Sequence, residues 1–160
     1  MDMKNSSNVD LLAGAAVFAG LEDEDYSLLD EYFMRRTFPG GHVLFEEGER
    51  VNKLAIIVSG SVDVVLPDKS GDMQRFSELK LASFGPGEYF GEYSLLDLRP
   101  ATATAVVKEN TELLQIKSHN LQRVLNEHCR IAKAFYFNLA LVLIDRLRQQ
   151  NQELNLFTIG

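Results

Sequence analysis

Phe84-Gly85-Pro86-Gly87-Glu88-Tyr89-Phe90-Gly91-Glu92-Tyr93-Ser94-Leu95-Leu96-Asp97-Leu98-Arg99-Pro100-Ala101-Thr102-Ala103-Thr104-Ala105 carries the densest chemical signal in this sequence. It has three parts. The glycine-rich approach lets backbone come close to a neighbour. A single helical turn, about Tyr93 to Asp97, presents unpaired amide N–H groups at its start. The small residues Ala101 to Ala105 leave space and are expected to expose further amides. Free amides converging on one cavity make an anion site. Glu92, at the edge of that cavity, is an acceptor suited to hydroxyl groups. An anion acceptor beside a hydroxyl acceptor describes a sugar phosphate, whereas the bland alternative is a tight loop with a solvated glutamate.

Outward from this segment the pattern is that of short strands. From Arg36 to Lys117, glycines and prolines punctuate apolar or alternating runs: His42–Phe45, Leu54–Val58, Val62–Leu66, Thr102–Val107 and Thr111–Lys117. A turn-rich loop is read from Pro67 to Asp72. Such spacing predicts an antiparallel sandwich or barrel, and the β-branched residues of Ile56-Ile57-Val58 support it. On either side the period changes to that of helices. Val9 to Met34 divides into two helices at Gly20 and the acidic cluster Glu22–Asp25. Ser118 is read as an N-cap before Leu121 and Val124. A longer helix runs from about Arg130 to Leu154. Its first half, Ile131 to Ile144, is apolar on nearly every face. A surface helix needs one apolar stripe, so this one needs two partners. One is the barrel; the other is most economically the same helix of a second subunit.

Composition narrows the function classes. The 160 residues are 46% apolar and 24% charged, with a formal charge of −7. That is one globular domain, and its acidity disfavours duplex DNA and anionic membrane as main partners. The apolar run Leu11 to Leu21 lacks a positive flank and is too short to span a bilayer, so it reads as buried helix. One cysteine, Cys129, allows no internal disulfide; it reads as a small buried hydrophobe in a reducing cytoplasmic setting. The three histidines, His42, His119 and His128, form no His-x-His pair, so no metal site of the cupin type is expected. No nucleophile elbow or phosphate-binding Walker loop appears, and no enzymatic activity is expected.

The segment Phe90-Gly91-Glu92-Tyr93-Ser94-Leu95-Leu96, with Pro100 and the small residues after it, resembles the phosphate-binding cassette of the cyclic nucleotide-binding domain family. Phe38-Pro39-Gly40-Gly41-His42-Val43-Leu44-Phe45-Glu46-Glu47-Gly48-Glu49 and Leu54–Val62 are similar to that family's first strands and next hairpin. The similarity extends from about Leu12 to Leu154. It implies an eight-stranded jelly roll, a double-stranded β-helix with helices before it and a long dimerising helix after it. The implied layout is a frayed segment over 1–10, one domain over 11–154 and a tail over 155–160. Within the domain, helices span about 11–34 and 118–154, and the barrel about 35–117.

The resemblance also assigns roles. Gly91 lets the loop approach a cyclic nucleotide, cAMP or cGMP. Glu92 accepts from the ribose 2′-hydroxyl. The amides of Ser94 and Thr102 hold the phosphate, with Tyr93, Ala101 and Ala103 completing the cassette. Thr104 stands near the base, and Gln150 and Asn151 are the candidates for a contact from the long helix. The family places an arginine after the cassette proline. Here Ala101 follows Pro100, and Arg99 stands two residues too early. A charged hydrogen bond contributes about 1.5–3 kcal/mol, so its loss implies roughly ten- to a hundred-fold weaker binding. Arg99 substitutes, or the amides bind alone, or the pocket takes another ligand or none. The reading is a non-enzymatic, cytoplasmic sensor, needing no cofactor, that relays a ligand through a homodimer to an effector protein. The alternative is a degenerate fold serving as a dimerisation or protein-interaction module. Only Asn155–Gly160 follows the long helix, too little for a helix-turn-helix, so no DNA binding by this chain alone is expected.

Overall fold

In a computed structural model, which describes residues 6–66 and 79–158, helices pack on one of two antiparallel sheets. The loop read from Pro67 to Asp72 lies outside the described residues. α1 (Asn8–Gly14) opens on a reciprocal cap: the Ser7 hydroxyl accepts from the Asp10 amide, and the Asp10 carboxylate accepts from the Ser7 amide. That cap starts the helix ahead of residue 11. A 3-10 turn, Ala16–Phe18, and α2 (Asp23–Asp30) follow, the latter opening on the acidic cluster.

The strands are β1 (Met34–Phe38), β2 (Val43–Phe45), β3 (Lys53–Ser59), β4 (Val62–Leu66), β5 (Leu79–Phe84), β6 (Tyr89–Phe90), β7 (Thr104–Val107) and β8 (Thr111–Lys117). One sheet has the order β1-β8-β3-β6 and the other β2-β7-β4-β5. Apart from β4 and β5, neighbouring strands are not consecutive in the chain, which is the jelly-roll arrangement. β3 shows why its run is continuously apolar. Leu54, Ile56 and Val58 face the helices, while Ala55 and Ile57 face the space between the sheets. A strand buried on both faces loses the usual alternation.

α3 (Glu92–Asp97) sits between β6 and β7, and α4 (Ser118–Glu127) and α5 (Cys129–Thr158) follow β8. Lys117, not Ser118, occupies the N-cap of α4. α5 runs past Leu154. Its residues Ile131, Phe135 and Leu139 are buried against α1, α2 and the 3-10 turn. Arg130 bridges to Glu22 at 2.8 Å and Asp25 at 2.9 Å, and Asn138 donates to the Ala19 carbonyl at 2.9 Å. The stripe Tyr136, Phe137, Leu141, Ile144 and Leu147 is exposed. Cys129 is exposed too, correcting its expected burial: it opens α5 at the junction with α4, ahead of the packed turns.

Candidate functional site

The loop from β6 into α3 is fixed by a glycine that nothing else can replace. Gly91 has φ +96°, and a Cβ there would run into the Lys53 carbonyl oxygen. The cassette therefore lies directly on the start of β3. α3 ends at Leu98, which holds a left-handed conformation at φ +57°, costly for a branched side chain. Beyond it the chain is stitched to the loop before β3. The Ala101 amide donates to the Glu49 carbonyl and the Gly48 amide to the Ala101 carbonyl, both at 2.8 Å. The Glu47 amide donates to the Thr104 hydroxyl at 3.0 Å.

These bonds correct part of the expected cradle. The amide of Ala101 is spent on Glu49, and Thr104 holds the β2–β3 loop through the oxygen that was expected near a base. Among the described residues the amides of Thr102 and Ala103 donate to no backbone carbonyl. Those two, with the first turn of α3, are the donors left for an anion.

Glu92 is 2% exposed, so its carboxylate needs a partner. The partner comes from α5. Arg146 donates from Nη1 to Glu92 Oε1 at 2.7 Å and to the Tyr93 hydroxyl at 3.0 Å. Its guanidinium carbon stands 5.9 Å from the Tyr93 ring centroid, within cation–π range. Burial works against the Arg146 charge, but hydrogen bonds and charge from Glu92 and Tyr93 outweigh it, and its pKa lies above the ordinary arginine value. Behind them Tyr89 is buried and its hydroxyl has no hydrogen-bond partner. Burial pushes the Tyr89 phenol up to about 12, with Glu92 and Tyr93 adding and Arg146 opposing.

The helix contact thus arrives one turn before the residues named for it. Gln150 is four residues past Arg146 and shares its face; both Gln150 and Asn151 are exposed. The Arg99 side chain is 82% exposed, with its Nε 4.0 Å from Asp97 at the end of α3. Tyr93, expected only as a cassette member, lies half exposed under Arg146. Arg146 itself was missed. Its available signal was the i, i+4 relation to Gln150 on a helix already expected to touch the ligand.

Among the described residues no cluster of three His, Cys, Asp or Glu could hold a metal ion. Among them, too, no helix is long and apolar enough to cross a membrane.

The family model described as "Cyclic nucleotide-binding domain" matches residues 35–128. The chain is 35% identical over 147 residues to the cyclic AMP receptor protein of Thermus thermophilus, covering 92% of this chain and 64% of that protein. It is 30% identical over 145 residues to the CRP-like cAMP-activated global transcriptional regulator of Mycobacterium tuberculosis, covering 91% and 61%. It therefore spans less than two thirds of the length of these curated relatives. The crystal structure of Thermus thermophilus catabolite activator protein superposes with a TM-score of 0.72 at 35% identity, over 90% of this chain and 63% of that one. The N-terminal domain of a transcriptional regulator from Streptomyces coelicolor A3(2) gives 0.70 at 32% identity, over 90% and 94%. With the jelly roll, the glycine-anchored cassette and the long final helix in place, the chain belongs to the cyclic nucleotide-binding domain family.

Proposed function

We propose that this chain is a non-enzymatic regulatory domain of the cytoplasm that binds cAMP or cGMP at its cassette and relays occupancy through α5. One domain over 11–154 carries the whole device. The observation that carries the reading is Glu92, a carboxylate only 2% exposed whose partner belongs to α5. A ribose 2′-hydroxyl accepted by Glu92 competes with Arg146 for the same group. Ligand and helix position then belong to one equilibrium, and the ligand shifts it by its differential affinity for the two helix arrangements. The free amides of Thr102 and Ala103 and the first turn of α3 take the phosphate, without an arginine at position 101.

The relay ends on a second copy of the chain and, through it, an effector protein. Tyr136, Phe137, Leu141, Ile144 and Leu147 are 44–64% exposed along one helix. Phe137, Leu141, Ile144 and Leu147 follow one another at three- and four-residue steps, a spacing that suits a two-fold helix pair.

A second reading is favoured by a specific pair of facts: Arg146 already occupies Glu92, and Ala101 stands where the family has arginine. On that reading the fold serves as an interaction module without a ligand. Calorimetry with cAMP and cGMP at millimolar concentration decides. Heat that Glu92→Ala abolishes and Ala101→Arg strengthens ten-fold or more supports the sensor; no heat from either nucleotide leaves the interaction module.

A further inference from the structure

Five basic side chains gather away from the ligand side of the cassette. Arg50, Lys53, Arg99, Lys117 and His119 line a concavity of about 440 Å³. It lies where the cassette exit, the start of β3, the end of β8 and the start of α4 meet. None of Gly91, Glu92 or Thr102–Thr104 lines it, so it is separate from the proposed nucleotide site. No acidic residue lines it either, in a chain whose formal charge is −7.

Two of these cations are forced together. Lys53 and Lys117 are register partners on the antiparallel strands β3 and β8. Like charges directly opposite on neighbouring strands destabilise a sheet. Among the described residues no carboxylate lies within ion-pair distance of Lys53, Lys117 or Arg50. Arg99 has Asp97 at 4.0 Å.

Ser118 also lines the concavity. Ser118, the first residue of α4, has a hydroxyl oxygen out of reach of solvent and without a hydrogen-bond partner. Its own amide is already donated to the Asn52 carbonyl at 2.8 Å. Repelling lysines and uncompensated arginine charge in one hollow are both relieved by the same thing, an anion with several oxygens.

We infer that this concavity is a second anion site, taking a small molecule that carries a diphosphate. Arg50, Lys53, Arg99 and Lys117 supply four formal positive charges, reduced to about three by Asp97. A cyclic phosphodiester brings one negative charge and leaves most of that unbalanced, whereas a diphosphate brings two or three. Guanidinium groups pair phosphate oxygens two at a time, and the lysines act as point charges between them. The volume lies in the range of small-molecule sites, with room for a group beyond the diphosphate. A ligand here bridges the end of the cassette to α4, so its binding is separable from the fate of Glu92.

Titrating the full chain with inorganic pyrophosphate in a calorimeter tests the site. Saturable binding is expected, weakening as salt is raised. Lys53→Gln with Lys117→Gln lowers the affinity ten-fold or more, while Lys53→Arg with Lys117→Arg keeps it within about three-fold. Glu92→Gln leaves it unchanged, and so does saturating cAMP. Relief of the lysine pair also predicts that the double glutamine variant melts no lower than the parent when no anion is present, which separates lost binding from lost folding. Absence of pyrophosphate binding to the parent at low salt overturns the site. Equal affinity in the parent and the double glutamine variant does so as well.

Discussion

The two halves of α5 are held by different chemistry. The first half is fastened by burial. Ile131, Phe135 and Leu139 are 0–2% exposed. Phe135 lies with its ring centroid 5.7 Å from that of Phe18. Arg130 and Asn138 pin the same half to α2 and to the turn after the 3-10 segment. The second half is polar on most faces, and its polar tie to the cassette is Arg146 on Glu92. Apolar contact of the first kind is indifferent to small ligands and is lost only by unpacking. A carboxylate can exchange one donor for another with little net change in free energy. The helix is therefore an anchor joined to an arm, and the arm is tied to Glu92, a group that the proposed ligand would also seek, and to its neighbour Tyr93.

Substitution of the anchor has the largest effect. Phe135→Ala removes a fully buried aromatic side chain and destabilises the domain by about 3–5 kcal/mol, read as a lower denaturant midpoint. Leu147→Ala on the same helix changes a side chain that is 59% exposed. It shifts the stability of a single chain by less than about 0.5 kcal/mol. Its expected consequence is instead a smaller dimer fraction in light scattering. A Leu147→Ala chain that stays dimeric at the parent's midpoint would show that the exposed stripe is not the seam.

Arg146→Ala comes next. It leaves the Glu92 carboxylate buried without its cation, at a cost of about 1–3 kcal/mol. The loss is local: amide exchange quickens in α5 after Leu143 and in α3, while residues 131–139 keep their protection. Uniform quickening along α5 would mean that anchor and arm are one unit.

This division was half legible in the sequence. The all-round apolar run Ile131 to Ile144 demanded two partners, and the structure packs one stripe and leaves the other bare. The strand Leu54–Val58 and the glycine before Glu92 were readable because burial on both faces and a positive φ leave strong marks in residue type. The identity of the arm's contact was not readable. Arg146, Arg148, Gln149, Gln150 and Asn151 are all polar, and helical spacing says only which of them share a face. Which one reaches Glu92, 54 residues away in sequence, depends on how far the helix has travelled past the barrel, a tertiary quantity. The small residues Ala101 to Ala105 likewise announced space without saying that the Ala101 amide was already taken by Glu49.

Tyr89 gives the smallest effect at neutral pH and the sharpest view of the arm's socket. Its hydroxyl is buried beside Glu92 and Arg146 without a partner. Tyr89→Phe therefore removes nothing that is bonded, and near pH 7 it changes stability by less than about 1 kcal/mol. Alkaline solution separates the two proteins. The phenol ionises at 10.0 when unfolded and at about 12 in the folded chain. The folded state holds its proton longer, so this contribution is fully present below pH 10 and is lost as pH rises toward 12. The parent should lose stability over that window faster than Tyr89→Phe, measured by urea denaturation at a series of pH values. Adding Arg146→Ala takes away the charge that pulls the Tyr89 value down, so the phenol ionises higher still and the extra alkaline loss grows. An Arg146→Ala chain that keeps Tyr89 and shows no such growth, measured against the same chain carrying Tyr89→Phe, would place Arg146 away from Tyr89, and with it the joint between arm and cassette.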